Sequence, residues 1–289
     1  MHTQEYPVAG VVREKLGHAA NVRVALFDSL PELGHWSRDT ENPYHCAANA
    51  AWAGATMSAA CRFAIEGDLS AVAASDAMLA QFENYALPTA RRETCDDAVG
   101  AVPNVPAFIA GHPMNMRRKR RANNEVSPIA VVFDTAVSAG ISAQTIAAHG
   151  VAILAFVRAL CARRPVELWS GTMEDGSGYQ DAACSFVRLE TAPMDLAHVA
   201  YALSHPSFAR QLGYSVNSYL AMRNVRKWPF DNHTVSRNHM RDILAPAFPH
   251  VSEMLCVPAV HVNDKLTTDP QGWVAEQLAI HGAYDLAAA

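Results

Sequence analysis

The sequence lacks the features that mark membrane-spanning, secreted and zinc-binding proteins. Its longest apolar stretches, such as Ile129–Phe133 and Val151–Val157, are far shorter than the roughly 20 residues that cross a bilayer, and its first residues show no signal-peptide pattern. The six cysteines stand at wide spacings without a C-x-x-C pair, which predicts free thiols instead of a zinc ribbon or a disulfide framework. We therefore expect a cytoplasmic protein that has no membrane partner.

Motifs that would identify an enzyme are also missing. The 13 histidines form no H-E-x-x-H or paired Cys/His pattern, so we expect them in surface or capping positions. There is no G-x-S-x-G, and the segment Gly171–Gly178 lacks the Lys-Ser/Thr of a phosphate-binding loop. The sequence therefore predicts a non-catalytic protein without a cofactor. A metal-dependent enzyme that uses Asp134, with Glu167 in an adjacent strand, is the catalytic alternative.

The sequence does contain enough apolar material for a large core, 50% of 289 residues. An apolar run, a Ser/Gly turn, a long helical pattern and a second apolar run predict a β-α-β unit with parallel, neighbouring strands. The predicted fold class is α/β (or α+β), with a central, mostly parallel sheet flanked by helices. The predicted strands are Val22–Phe27, Ile129–Phe133, Val166–Ser170, Ala183–Leu189 and Met254–Val262. The predicted helices are Tyr44–Glu66, Asp68–Tyr85 (with Ser70 as an alternative start), Ala143–Arg163, Asp195–His205 and Gln271–Ile280.

Composition divides the chain into two parts of one co-folded unit. Residues 1–125 hold the first strand, a loop at Asp28 to Pro31 and a helical pair, and they end in a basic loop at 110–124. Residues 126–289 form the α/β half, with a basic-aromatic arm at 222–250. Frequent proline and glycine make residues 98–128 a predicted loop except for a short helix near Ala107, and the arm is predicted as a loop with one helix around Arg237–Leu244.

The net charge of −5 is unevenly distributed along the chain. Residues 110–124 carry +5 and residues 208–242 carry +4, which leaves −14 for the rest. Five consecutive cations repel one another, and guanidinium groups bind phosphates bidentately, so the first segment predicts a polyanion site. A solvated loop that pairs with the acidic body is the alternative. The five cations are Arg117, Arg118, Lys119, Arg120 and Arg121.

The second basic segment interleaves cations with aromatic residues. Cations follow a phosphate backbone, and flat rings stack on unpaired bases at roughly 1–3 kcal/mol each, so this combination is typical of single-stranded nucleic-acid sites. Tyr214 and Tyr219 also fit core positions, which leaves the aromatic rings at 228 and 230 as the exposed ones. The candidate contact residues are Arg223, Arg226, Lys227, Trp228, Phe230, Arg237 and Arg241.

Residues 129–205 resemble a degenerate von Willebrand factor A-like domain. In that family the loop after the first strand reads D-x-S-x-S and supplies oxygen ligands to magnesium. Asp134 and Ser138 match this motif, while Ala136 replaces one serine and removes a ligand. The resemblance implies an A-domain-like fold whose metal site is lost, with Asp134 and Ser138 as the residues left of it. It also implies an alternative function, a protein-interaction or adaptor module that does not bind nucleic acid.

The basic loop HPMNMRRKRRANN (His112–Asn124) and the basic-aromatic arm, on an acidic, alanine-rich α/β body, are similar to the Drc-type proteins of short-tailed phages. Those proteins bind single-stranded DNA and act as cofactors of the phage RNA polymerase. The resemblance implies single-stranded DNA binding without turnover, in support of phage replication or transcription in the host cytoplasm. It implies a phage RNA polymerase or replication protein as a partner, and a homo-oligomer as a possible assembly. It extends only to Arg117–Arg121 and Arg223–Phe230.

Overall fold

The computed structural model describes residues 1–7, 21–40, 50–80, 92–121, 128–136, 141–162, 164–176, 182–222, 230–232, 234–259, 261 and 263–281. The strands are β1 (His2–Pro7), β2 (Asn21–Phe27), β3 (Arg92–Asp97), β4 (Val102–Pro103), β5 (Met116–Arg121), β6 (Ile129–Asp134), β7 (Val166–Gly176), β8 (Ala182–Leu189), β9 (Phe230–Asn232) and β10 (Met254–Val257). The helices are α1 (Leu30–Asp39), α2 (Ala50–Ala53), α3 (Met57–Glu66), α4 (Val72–Ala80), α5 (Val105–Ile109), α6 (Ala143–Cys161), α7 (Leu196–Ser204), α8 (Tyr214–Met222), α9 (Thr234–Leu244), α10 (Lys265–Thr268) and α11 (Pro270–Ile280). A π-helical turn, Phe208–Gly213, leads into α8, and a 3-10 turn, Ala245–Ala247, follows α9.

The main sheet confirms the predicted mixed α/β class. Its strands run in the order β1-β2-β8-β7-β6-β10, and β9 pairs with the end of β7. The pairs β2–β8, β6–β7 and β6–β10 are parallel, whereas β1–β2 and β7–β8 are antiparallel. The predicted β-α-β unit is β6-α6-β7, with Ile129 opposite Val166, and β7 and β8 form an antiparallel pair. The sheet is therefore mostly, but not entirely, parallel.

Both faces of the main sheet are buried, which explains its near-continuous apolar strands. In β6, Ile129, Val131 and Phe133 belong to one core cluster, under α1, α3, α6, α7 and α11. Val132 faces a second cluster, which includes Met240 and other side chains of α9. Because successive side chains of a strand point to opposite faces, an all-apolar strand fills both cores.

The central helix α6 is the one helix in the described residues that is long and apolar enough to cross a membrane. Ser142 caps its N-terminus by accepting a hydrogen bond from the Thr145 N–H. Of its most apolar stretch, 56% is buried inside the protein. We therefore interpret α6 as the core helix of a soluble α/β domain.

Several predicted boundaries are wrong. The chain does not enter a loop after β2, because Ser29 caps α1 and Pro31 lies in its first turn, where proline is favoured. The helix predicted for Tyr44–Glu66 is two helices, α2 and α3, with Gly54 between them at φ 81°. Residues 44–49, 81–85 and 163, which belong to three predicted helices, lie outside the described residues. The last predicted strand ends at Val257 instead of Val262.

The largest difference concerns the basic loop predicted at 110–124. Residues 116–121 form a strand, β5, in the middle of a second sheet with the order β3-β5-β4. The predicted short helix near Ala107 is present as α5. As far as the described residues show, both core clusters are built without any residue of this second sheet.

A buried histidine makes the fold sensitive to acid. His149 lies in α6 with 3% of its surface exposed, and its Nε2 lies 2.8 Å from the Thr267 hydroxyl. Burial lowers the pKa of His149 below its ordinary value. Below about pH 6.5 the unfolded chain therefore binds a proton that the folded chain does not, and stability falls with pH.

We expect the free energy of unfolding to drop between about pH 7 and pH 5, by about 1.4 kcal/mol for each unit by which the pKa of His149 is lowered. His149→Gln should flatten this dependence in urea titrations. Part of the slope should persist, because burial also lowers the pKa of His205. An identical slope in the variant and the parent would contradict a role for His149.

Candidate nucleic-acid interface

The five consecutive cations lie on β5, the central strand of the small sheet. β3 pairs with β5 antiparallel along its whole length, and β4 pairs with Arg117 and Met116 on the other side. The loop back to β5 is closed by backbone hydrogen bonds, from Asn104 N–H to Asn115 O (2.7 Å) and from Ala101 N–H to Arg117 O (3.1 Å). The basic segment is thus held extended by its neighbours instead of forming a loop.

The register of the small sheet distributes the charges unequally between its two faces. Residues two apart on a strand share a face, and residues opposite each other on neighbouring strands share it too. We call the face that carries position 117 the basic face and the other the balanced face. The basic face holds positions Arg92, Thr94, Asp96, Val102, Arg117, Lys119 and Arg121, and the balanced face holds positions Glu93, Cys95, Asp97, Pro103, Met116, Arg118 and Arg120.

The ion pairs of Arg117 and Arg118 are long and exposed. Arg117 Nε lies 3.9 Å from Asp96 Oδ1, and Arg118 reaches Asp97 Oδ2 at 3.6 Å. The two arginine side chains are 53% and 55% exposed. Surface pairs of this kind contribute about 0–1 kcal/mol, so they hold the cations weakly. Their carboxylates belong to the small sheet itself, whereas the alternative prediction placed the partners on the acidic body.

Asp96, the one acid on the basic face, has a second partner. The side-chain amide of Asn104 donates to both of its carboxylate oxygens, at 3.2 and 3.1 Å. These hydrogen bonds hold the carboxylate in place and leave its charge unchanged. The basic face has a surplus of positive charge because this one acid shares it with four cationic positions, 92, 117, 119 and 121.

Exposed apolar side chains surround β4 and α5. Six large hydrophobic residues between positions 99 and 114 are between 44% and 79% exposed. Exposed apolar groups in such a cluster indicate an interaction surface. Val102 lies directly opposite Arg117, so an apolar and a cationic position adjoin on the basic face. The six residues are Val99, Val102, Val105, Phe108, Ile109 and Met114.

The second basic segment is only partly described. Arg223, Arg226, Lys227 and Trp228 lie outside the described residues. Phe230 begins β9, which pairs with the end of β7, and Arg237 lies in α9. Arg241 is exposed on α9, while Met240 and Ile243 of the same helix enter the second core. The helix predicted around Arg237–Leu244 is present as α9, and the arm predicted at 222–250 also contains a short strand, β9, that was not predicted.

The two tyrosines of this segment are half-buried and pack against tryptophan rings. The Tyr214 ring stacks on Trp52, with centroids 6.2 Å apart, and Tyr219 meets Trp36 edge-on at 5.3 Å. The structural role of Arg210 could not be predicted from the sequence, because an arginine in a basic segment is typical of a surface cation. Arg210 is 1% exposed and donates to the carbonyls of Trp52 and Ile141, at 2.6 Å each.

Asp134 stabilises the backbone at the end of β6. It is fully buried, and its Oδ1 accepts hydrogen bonds from the N–H groups of Ala136 (2.9 Å) and Met173 (3.2 Å). Ser138, the other residue of the magnesium motif, lies outside the described residues. Asp134 pairs with Gly171, whereas Glu167 pairs with Ala130.

This register places Asp134 and Glu167 four residues apart along the sheet, about 13 Å. Glu167 instead accepts a hydrogen bond from Trp169 Nε1 at 2.7 Å and contacts His250. Across the described residues, no group of three or more His, Cys, Asp or Glu side chains is placed to hold a metal ion. The geometry does not bring together the two carboxylates of the catalytic alternative.

Fold and site define a mixed α/β domain that carries a small basic sheet outside its cores. A protein family described as a domain of unknown function (DUF7192) matches residues 8–231. The chain belongs to this family, and the match includes the whole small sheet. No curated protein and no solved structure matches the chain.

Proposed function

We propose that this protein binds single-stranded nucleic acid, DNA in the first instance, without chemical turnover, and that β5 is its principal contact. One observation carries the proposal. Five consecutive cations lie on an extended strand, and the two of them whose side chains are described, Arg117 and Arg118, are half exposed with only weak ion pairs. Cations that are held in place but poorly neutralised attract a polyanion, and phosphate binding then releases condensed counterions.

The exposed apolar side chains support a single strand over a duplex. A duplex stacks its bases inside, so its outer surface offers mainly phosphate and sugar. A single strand offers unpaired bases as well, and these stack on aromatic rings beside a cationic groove. Phe108, in α5 between β4 and β5, is an exposed aromatic ring on which a base could stack. Val102, also exposed, lies opposite Arg117.

The biological setting is part of the same proposal. The similarity in charge layout to the Drc-type phage proteins supports a role in phage replication or transcription, with a phage RNA polymerase or replication protein as partner. It also supports a cytoplasmic location in the infected host and self-association on the nucleic acid. The second basic segment, Arg223–Phe230 with Arg237 and Arg241, is proposed as an additional contact.

A fluorescence-anisotropy titration tests the proposal. The probe is a labelled oligothymidylate of about 20 nucleotides, longer than the roughly 4–16 that such sites cover. We expect an affinity that falls steeply with salt. Replacing Arg117, Arg118, Arg120 and Arg121 by alanine should reduce the slope of log K against log salt by up to about 2.8, since each phosphate contact of a single strand contributes about 0.7.

A duplex probe of matched length should bind more weakly than the single strand at the same salt concentration. Thermal unfolding of the quadruple variant serves as the folding control. Failure of the parent protein to bind, or an unchanged salt slope in the folded variant, would refute nucleic-acid binding by β5.

The second candidate function is a protein-interaction or adaptor module. The exposed apolar cluster around α5 favours it, because contiguous exposed apolar side chains often mark protein interfaces. In that case the parent protein would not bind oligonucleotides, even at low salt. It would instead retain a defined partner whose capture requires Phe108 and Ile109.

A further inference from the structure

We infer that the basic face of the small sheet, and not its balanced face, holds the nucleic acid, as an extended strand that runs along β5. This inference rests on the proposed function and adds which side chains contact the ligand and in what conformation the ligand binds. It follows from the register of three short strands.

The charge difference between the two faces is the first step. On the basic face, positions 92, 117, 119 and 121 are cationic and only Asp96 is acidic, a surplus of three positive charges. On the balanced face, Arg118 and Arg120 are matched by Glu93 and Asp97, so the net charge is zero. A polyanion that approaches this sheet is therefore attracted to one side. A sequence of five adjacent cations cannot show this, because every position has the same sign.

The spacing of the cations is the second step. Residues i and i+2 of a strand are about 6.8 Å apart, since each residue advances the strand by about 3.4 Å. Positions 117, 119 and 121 thus form a straight row, and Arg92 lies opposite Arg121 at its end. A row of this kind matches successive phosphates of an extended nucleic-acid chain. Because phosphates of a duplex follow a helical path, they diverge from a straight row after one or two contacts.

The apolar neighbour is the third step. Val102 is more than half exposed and lies on the basic face opposite Arg117. The balanced face also has apolar positions, Pro103 opposite Met116, but it has no surplus of cations beside them. Only the basic face combines an apolar position with a row of cations, so that the base attached to a bound phosphate can rest beside that row.

Two double variants of the full-length protein test the inference. Arg117→Gln with Lys119→Gln changes the basic face, and Arg118→Gln with Arg120→Gln changes the balanced face. Both pairs remove two positive charges from the same strand, and each removes one of the two long ion pairs, so overall charge and strand stability are matched. Both are titrated with the same labelled oligothymidylate, after thermal unfolding has confirmed that they fold.

We expect the basic-face variant to lose about 25-fold in affinity at about 0.1 M salt, because two phosphate contacts contribute about 0.7 each to the salt slope. The balanced-face variant should lose less than about threefold, through long-range charge alone. Equal losses, or a larger loss in the balanced-face variant, would overturn the face assignment and leave nucleic-acid binding in place. If the parent bound no oligonucleotide, both proposals would fail. If it bound only vesicles containing anionic lipid, the basic face would be assigned to membranes instead.

Discussion

Gly150→Ala should destabilise the protein by about 3 kcal/mol or more, although alanine is normally the better helix residue. Gly150 lies in the middle of α6, where α7 crosses closely. A Cβ at this position would lie 2.2 Å from the Ser204 Cα and 2.3 Å from the Leu203 carbonyl oxygen. Both are backbone atoms of α7, so no rotamer change relieves the overlap, and the two helices would have to separate.

A matched substitution on the same helix isolates this effect. Ala148 is exposed on α6, and Ala148→Gly should cost only about 1 kcal/mol, through helix propensity. Urea unfolding of both variants measures the two free energies. We expect both substitutions to destabilise the protein, although one replaces glycine by alanine and the other alanine by glycine. Gly150→Ala should have the larger effect. A neutral or stabilising Gly150→Ala would show that α6 and α7 are not packed at this distance.

The β-α-β unit could be predicted from sequence because each of its signals is local. The apolar run of β6, the helical pattern of α6 and the turn at Pro165 each specify their own element, and a helix that connects two neighbouring strands of one sheet leaves those strands parallel. The helix α7 was equally clear, since Asp195 caps it by accepting the His198 N–H. Where local and tertiary preferences agree, pattern analysis is sufficient.

β5 could not be predicted because nothing in Met116–Arg121 favours a strand by itself. Arginine and lysine show no alternation, and nearby prolines and glycines indicate a loop. β5 forms a strand because it pairs with β3 and β4. β3 lies about 20 residues earlier in the chain and β4 has only two residues, so neither pairing could be predicted from the sequence. The charge pattern of the sequence is thus sufficient to identify the candidate residues. Their division between a basic and a balanced face requires the register of the strands, which only the structure shows.

Arg210→Met should cost about 3 kcal/mol. The guanidinium of Arg210 lies in the π-helical turn before α8, is almost fully buried and stands 4.3 Å above the centre of the Trp52 ring. Its two hydrogen bonds join the backbone at Trp52 to the backbone at Ile141, just before α6. Methionine fills a similar volume but donates nothing, so two buried carbonyls lose charge-assisted bonds of roughly 1.5–3 kcal/mol each, offset in part because the charge no longer has to be buried.

The burial that lowers the pKa of Arg210 also removes it from any surface that a ligand could reach. Arg188→Met, at an exposed position of β8, is the matched control and should change the unfolding free energy by less than about 0.5 kcal/mol. If Arg210 is structural, the folded Arg210→Met variant should bind oligothymidylate as tightly as the parent does, despite its lower urea midpoint. A loss of affinity without a loss of stability would instead place Arg210 among the ligand contacts. The positive charge of Arg210 would then contribute to nucleic-acid binding, together with the other cations of residues 208–242.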